Sequence, residues 1–269
     1  MAGRAMLPPW LADSLVFDAA QFRPLFAGEQ RAGWLRPAFA ARLASWPQVF
    51  AVHADRVLFA PDLRDAPSRS SALVTVLAEL RAEGLFPGWR NELYALTDAA
   101  GAEVLRFERA AAKHFGFVGP ASHLNGIVLR PDGLHMWIAT RSASKAVDAG
   151  KLDNMVAGGI PAGMDAGTTL VKECFEEAGM AAALAASATR HGLVAFERAV
   201  TQGVDTQRIA VFDIELPADF VPANQDGEVA GFELLPAAGV LRRLHQPHVF
   251  TVDAALVVWD CLSRRGLAA

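Results

Sequence analysis

Cysteine is nearly absent: the 269 residues hold two, Cys174 and Cys261. One falls in a predicted helix and the other near the C-terminus, so neither a disulfide framework nor a zinc site is expected. A basic excess is missing as well. Twenty-five Lys and Arg face 29 Asp and Glu, a net charge of −4 with the signs interspersed. That balance excludes a nucleic-acid footprint and a polybasic membrane patch. No stretch reaches the roughly 18 uninterrupted apolar residues of a membrane span. Met1 to Trp10 has no apolar run suited to a signal sequence. The expectation is a cytoplasmic protein with no nucleic-acid or membrane partner. No internal repeat or low-complexity region is seen.

What is present is enough apolar material for an ample core: 52% hydrophobic residues against 20% charged. The length suits one large domain or two small ones. The N-terminal third reads as its own α/β unit. Val49 to Ala54 and Arg56 to Ala60 flank an Ala-Asp turn and predict a hairpin. Ser70 to Glu83 predicts a helix with Leu73, Val76, Leu77 and Leu80 on one face and Gly84 as its stop. Leu93 to Leu96 and Val104 to Phe107 read as short strands. The alanine-rich segment from Arg109 to Phe115 leads to a boundary near Gly119-Pro120. Beyond it, Leu124 to Leu129, Leu134 to Thr140, Leu193 to Val200, Arg208 to Glu215 and Phe232 to Leu235 predict strands. Thr251 to Ser263 predicts a buried helix.

The densest signal lies between Gly158 and Met180. Glu173, Glu176 and Glu177 stand at i, i+3 and i+4 of a predicted helix, within about 100° of arc. Leu170, Val171, Cys174, Phe175 and Ala178 cover the neighbouring arc, which is expected to be buried, leaving Cys174 packed and not nucleophilic. Three acids so close repel one another unless a cation sits among them. Mg²⁺ suits carboxylate oxygens at about 2.1 Å and keeps waters for chemistry. An acidic stripe alone is usually a solvated helix face. Here Gly158 and Gly159 allow close backbone approach, Lys172 precedes the acids, and Gly179 stands where a helix end favours a left-handed residue.

This register resembles the Nudix hydrolase signature. Gly158 fits its opening glycine, Glu173 the acid after the basic position, Glu176 and Glu177 the paired acids, and Gly179 and Met180 the close. Met164 stands where that family has glutamate and Lys172 where it has arginine, commonly an ion pair bracing the loop on the helix. The departure suggests a changed brace, with Asp165 pairing Lys172. A second resemblance spans Gly133 to Gly159, Leu170 to Glu177, Asp226 to Val229 and His123 to Gly126. These segments are similar to the Nudix subgroup related to the fungal thiamine pyrophosphokinase fusions, whose members are associated with hydrolysing thiamine diphosphate and its oxidised forms to the monophosphate.

The resemblance implies an α/β (α+β) fold: a Nudix α/β/α sandwich with a mixed sheet over residues 119–269, preceded by a smaller α/β domain over 1–118. It implies a Mg²⁺-dependent diphosphatase, with Mn²⁺ as a substitute, acting on a small-molecule diphosphate. Glu176 and Glu177 are the expected primary metal ligands. Glu173 is a third ligand or the residue orienting the water, and the Gly158 carbonyl is a further ligand. Glu228 is a late ligand or base, or an ordinary acidic turn. Arg141 and Lys145 are cations for substrate phosphate, or solvated loop charges. His123 and Asn125 share one strand face, as substrate contacts or as structural residues. Trp137 reads as core in preference to a stacking platform. Many members pair, so a homodimer is admitted, although no exposed apolar stripe argues for one. The rivals are a nucleoside-diphosphate-linked substrate such as ADP-ribose or a dinucleotide, a non-catalytic diphosphate-binding module, and an isomerase, for which neither cysteine is placed.

Overall fold

The computed structural model describes residues 6–145 and 147–268; the first half of the segment read for a signal sequence, residues 1–5, lies outside them. The chain opens with a short helix α1 (Pro9–Ser14), the hairpin β1 (Arg23–Ala27) and β2 (Gln30–Leu35), α2 (Pro37–Arg42), β3 (Phe50–Val52) and β4 (Val57–Phe59). The strands form a sheet in the order β2-β1-β4-β3. Helix α3 (Ala66–Ala82) follows, with Asp65 and Ser68 in a reciprocal capping box. Its apolar face is the predicted one: Leu73, Val76, Leu77 and Leu80 are all buried. A second hairpin, β5 (Leu93–Thr97) and β6 (Glu103–Glu108), then leads through α4 (Ala112–Phe115) to Gly116 in the left-handed region. Stacked Phe115 and Phe117, with ring centroids 5.0 Å apart, anchor this unit's core beside Phe107 and Phe50.

The larger layer begins without a break. Strand β7 (Val118–Arg130) is followed by β8 (Gly133–Arg141), β9 (Leu152–Asp153) and β10 (Val156–Gly159). Then come α5 (Ala166–Ala178), α6 (Ala182–Ala185), β11 (Thr189–Ala199), β12 (Val204–Glu215), β13 (Val229–Pro236), α7 (Ala237–Leu244) and α8 (Val252–Arg264). The sheet order is β11-β12-β7-β8-β13, with β9 on β8 and β10 on β7. β7 and β12 are parallel and the other pairs antiparallel, so the sheet is mixed. On one face α5 packs Leu170, Cys174 and Ala178 against Leu124 and Val128. On the other, α8 packs against Ile127, Met136 and Ile138. The expected α/β/α sandwich is the observed architecture.

Strand β7 starts within one residue of the boundary expected near Gly119-Pro120, and α1 packs across it. Gly119 and Pro120 lie inside β7, where Pro120 pairs with Arg208 while β10 begins only at Ala121 on the other edge, so its missing N–H breaks no ladder. Helix α1 belongs to the second core: Leu11 is buried among α8 residues and Trp10 Nε1 donates to the Leu244 carbonyl at 2.7 Å.

One edge of β7 forks. β10 takes residues 121–124 and β8 takes residues 126–130, leaving Asn125 at the split. A buried polar chain closes it. Asn125 Nδ2 donates to Asp213 at 2.9 Å, Asn154 Nδ2 donates to Asn125 at 2.8 Å, and His123 Nδ1 meets Asn154 Oδ1 at 2.9 Å. Asp213 also receives Arg264 at 3.0 Å and Arg265 at 3.1 Å. Burial works against its charge, but Arg264 and Asn125 hold the carboxyl below the ordinary aspartate value. His123 and Asn125 do share one face, as expected, but at 5% and 1% exposure that face is the interior. Both are engaged in this interior chain, the structural one of the two alternatives, and neither lines the cavity around Glu177. Asp213→Ala is expected to cost about 2–4 kcal/mol, because it leaves the buried Asn125 amide without its acceptor and removes the carboxylate that Arg264 and Arg265 share. Urea unfolding of the variant checks this.

Candidate active site

The glycine loop is built by close contact. Gly158 pairs with Ser122 across β10 and β7. A Cβ placed on Gly158 would lie 2.4 Å from Glu173 Cδ, so only glycine lets the Glu173 carboxylate rest on the strand. Gly159 is covered from the other unit: a Cβ there would come within 1.7 Å of the hydroxyl of Tyr94, the chain's single tyrosine. Helix α5 then starts at Asp165, whose side chain accepts from Gly167 and Thr168 N–H at 2.8 and 2.9 Å. It ends at Gly179, with φ of 62°.

The expected Asp165–Lys172 brace is not made. Asp165 is committed to the helix cap, and Lys172 is two turns away. Lys172 bridges Glu173 at 3.2 Å and Glu176 at 2.6 Å instead. The loop is held from outside, where Ala162 N–H donates to the Leu93 carbonyl of β5 at 2.7 Å.

The three glutamates occupy different environments. Glu177 is 5% exposed, and its Oε2 accepts the Ala157 N–H of β10 at 2.8 Å. Burial, with Asp153 and Glu173 nearby, pushes its carboxyl up to about 8 in spite of that hydrogen bond and Lys145. Glu173 is partly shielded and is raised by the same cause, burial. Glu176 lies at the exposed edge, held by Lys172. This corrects the sequence-predicted phase of the helix. Phe175, expected inside, is 60% exposed, and Glu177 is inside. The helix is turned toward β10 because the strand offers a backbone donor that a carboxylate satisfies and an aromatic ring does not.

Glu177 shares a small cavity with Arg141, Lys145, Asp153, Asn154 and Glu228. Four sequence-predicted residues therefore converge. Lys145 Nζ donates to Glu228 Oε2, and Arg90, from the loop before β5, donates to Glu228 Oε1 at 2.7 Å. Arg141 is occupied otherwise: it donates to Asp153 at 2.7 Å and to the Val147 carbonyl at 3.1 Å, which fixes the loop and leaves little for substrate phosphate. Trp137 is partly buried in the core beneath α5, as expected. Cys174 is fully buried, and burial pushes its thiol up to about 12, so it is no nucleophile. Sequence reasoning missed Arg90, Tyr94 and Asp153 as members of the site. Asp153 lay within a segment already singled out, while Arg90 and Tyr94 carry no local signal and are brought in by tertiary packing.

The donor set suits a hard divalent cation. Glu173 and Glu177 carry carboxylate oxygens of the kind such an ion takes, although no group of three His, Cys, Asp or Glu among the described residues forms a preassembled ligand cage. Glu173 rests in the cradle that a Cβ on Gly158 would fill, and buried Glu177 carries more acid than base around it. Lys172 occupies the position between Glu173 and Glu176 that a shared cation would compete for. These residues fit Mg²⁺ or Mn²⁺.

Comparison with known proteins adds to this geometry. Residues 12–118 match a family model described as a domain of unknown function, DUF4743. The chain is 37% identical to "Nudix hydrolase 24, chloroplastic" of Arabidopsis thaliana, over 92% of this chain and 68% of that protein. It is 36% identical to "Nudix hydrolase 20, chloroplastic" of the same plant, over 91% of this chain and 68% of that one. A solved structure of DR0079 from Deinococcus radiodurans is similar at 21% identity and a TM-score of 0.48, over 63% of this chain and 99% of that one.

A raised carboxyl contributes stability that is complete below its unfolded value and disappears as pH climbs through its folded value. The metal-free protein is therefore expected to lose stability between about pH 4.5 and 8 through Glu177. Glu177→Gln flattens that slope. Denaturant midpoints measured across this window for both proteins test the assignment, and equal slopes would reject it.

Proposed function

From the premise that this chain belongs to the Nudix hydrolase family, we propose that it is a Mg²⁺-dependent diphosphatase that cleaves a phosphoanhydride bond and releases a monophosphate. We further propose that its substrate is thiamine diphosphate or an oxidised, damaged analogue. The observation that carries the reaction is the buried Glu177 beside Glu173 on the Gly158 backbone, facing Lys145 and Glu228 across one cavity. The substrate choice is supported by the likeness of Gly133 to Gly159, Leu170 to Glu177 and Asp226 to Val229 to the subgroup related to the thiamine pyrophosphokinase fusions.

Glu173, Glu177 and the Gly158 carbonyl would hold the ion, and Glu176 joins them on leaving Lys172. When bound, Mg²⁺ supplies Lewis-acid polarisation of the phosphate oxygens and acidifies water. The remaining work falls to side chains. Lys145, only 12% exposed, neutralises phosphate charge at the cavity. Glu228, 31% exposed and paired with Arg90 and Lys145, would accept the proton of the attacking water. The water oxygen bonds to phosphorus as the bridging phosphorus–oxygen bond breaks, and the second phosphate leaves on the other product.

Two experiments bear on this reading. Glu177→Gln is expected to lower turnover on the order of 10²-fold, about 3 kcal/mol of transition-state stabilisation; unchanged turnover removes the role. A panel of thiamine diphosphate, its oxo derivative, ADP-ribose and a diadenosine polyphosphate, read by product chromatography, is expected to show turnover concentrated in the thiamine compounds. Turnover of ADP-ribose with none of the thiamine diphosphates would refute the substrate assignment.

A further inference from the structure

The N-terminal unit reaches the site through one short segment, residues 90–94, and each contact it makes there is specific. The Leu93 carbonyl accepts the Ala162 N–H at 2.7 Å, and the Tyr94 hydroxyl lies over Gly159. Burial pushes the Tyr94 phenol up to about 12, so it stays neutral. Arg109 lies 6.0 Å from the Tyr94 ring centroid and pairs with Glu92 at 2.6 Å, while the Arg90 N–H donates to Glu108 at 3.2 Å. The backbone behind Arg90 is thus fixed on both sides, and its guanidinium is carried to Glu228.

Three cations stand at the cleft, and they are not equivalent. Arg141 is committed to Asp153 and a carbonyl. Lys145 is shielded, whereas the Arg90 side chain is 43% exposed. An anion arriving from solvent meets Arg90 before Lys145. Glu228 gives one carboxylate to two cations, leaving a net positive charge over an opening that leads to Glu177. Among the described residues the Arg90 side chain donates through Nη1 alone. A guanidinium is matched to two oxygens at once, so its capacity is half used here and a phosphate fulfils it.

We propose that Arg90, supplied by the N-terminal unit, is a substrate-binding residue of the diphosphatase, and that Glu228 holds it in place until the substrate's outer phosphate takes over the contact. Resting on the diphosphatase reading, this gives the unit matched by the family of unknown function a definite role: it completes the phosphate site. The exchange also frees the Glu228 carboxylate at the moment substrate arrives.

The test uses the full chain as wild type, Arg90→Ala and Arg90→Lys. Calorimetry measures binding of methylenediphosphonate, a non-hydrolysable diphosphate, in the presence of Mg²⁺, and steady-state kinetics are run with the substrate the panel selects. Arg90→Ala leaves Lys145 on Glu228, so the melting temperature is expected to stay near wild type. Its affinity for the probe is expected to fall about tenfold or more, with KM rising in step and kcat within about threefold. Arg90→Lys is expected to fall between, since an ammonium keeps the charge without the fork. Probe affinity within about twofold of wild type in Arg90→Ala overturns the Arg90 assignment alone, as does a loss confined to kcat. Wild-type protein that fails to bind the probe with Mg²⁺ overturns the diphosphate reading and the Arg90 assignment with it.

Discussion

One hydrogen bond, from the Ala157 N–H to the Glu177 carboxylate, sets the geometry of this molecule. It ties the last turn of α5 to β10 and so fixes where the helix's other acids fall. With Glu177 inside, Glu173 comes to rest on Gly158, Glu176 goes to the rim, and Phe175 is turned out to solvent. Above the ordinary carboxyl value the arrangement opposes stability, since the buried group must either take up a proton or stay charged at a cost in solvation. Burial raises its carboxyl to about 8, against the single hydrogen bond that holds it.

The polar interior on the far side of the sheet obeys the opposite logic. The chain from His123 through Asn154 and Asn125 to Asp213 is satisfied at each link we can name, and it ends on arginines at the surface. It exists because β7 cannot pair with β8 and β10 at the same residue, and a strand fork leaves backbone and side-chain groups that need partners. The fork is what allows β10 to diverge and carry its glycines over α5. The two meet at Asn154, which belongs to this chain and also lines the cavity beside Glu177.

Much of this was legible in the sequence, and the pattern of successes and failures is physical. Elements with a strong period were read correctly: the apolar face of α3, the β3–β4 and β5–β6 pairs, the β11–β12 pair, and the buried α8. The β1–β2 hairpin carries Pro24 and Gly33 within its strands, residues that weaken a strand pattern, and α7 spans only eight residues, about two turns. The phase of α5 was misjudged because an amphipathic pattern assigns faces by hydrophobicity alone, whereas a single backbone donor on β10 decided the rotation. Asp165 was read as a partner for a lysine because charge was weighed and helix capping was not, yet an aspartate immediately before a helix is first a cap. Likeness to a subgroup located His123 and Asn125 as a unit but not their direction, which depends on which face of β7 is covered by α8.

Charge around the cavity links the two units more firmly than sequence position suggests. Glu177, Asp153 and Glu228 bring three carboxylates; Arg141, Lys145 and Arg90 bring three cations, and one of those comes from the other unit. All but Arg90 line a cavity of about 10 Å³, room for about one water. On the proposed reading, substrate approaches from the outer side of the Glu228 pair and meets the layer of ions there. Of the contacts in that layer, Lys145–Glu228 lies within the sandwich, whereas Arg90–Glu228 joins it to the N-terminal unit. A catalytic layer cut away from residues 90–94 would lose its outermost positive charge, the hydroxyl over Gly159 and the carbonyl that anchors the loop at Ala162. On the proposed reading the N-terminal unit is a wall of the active site.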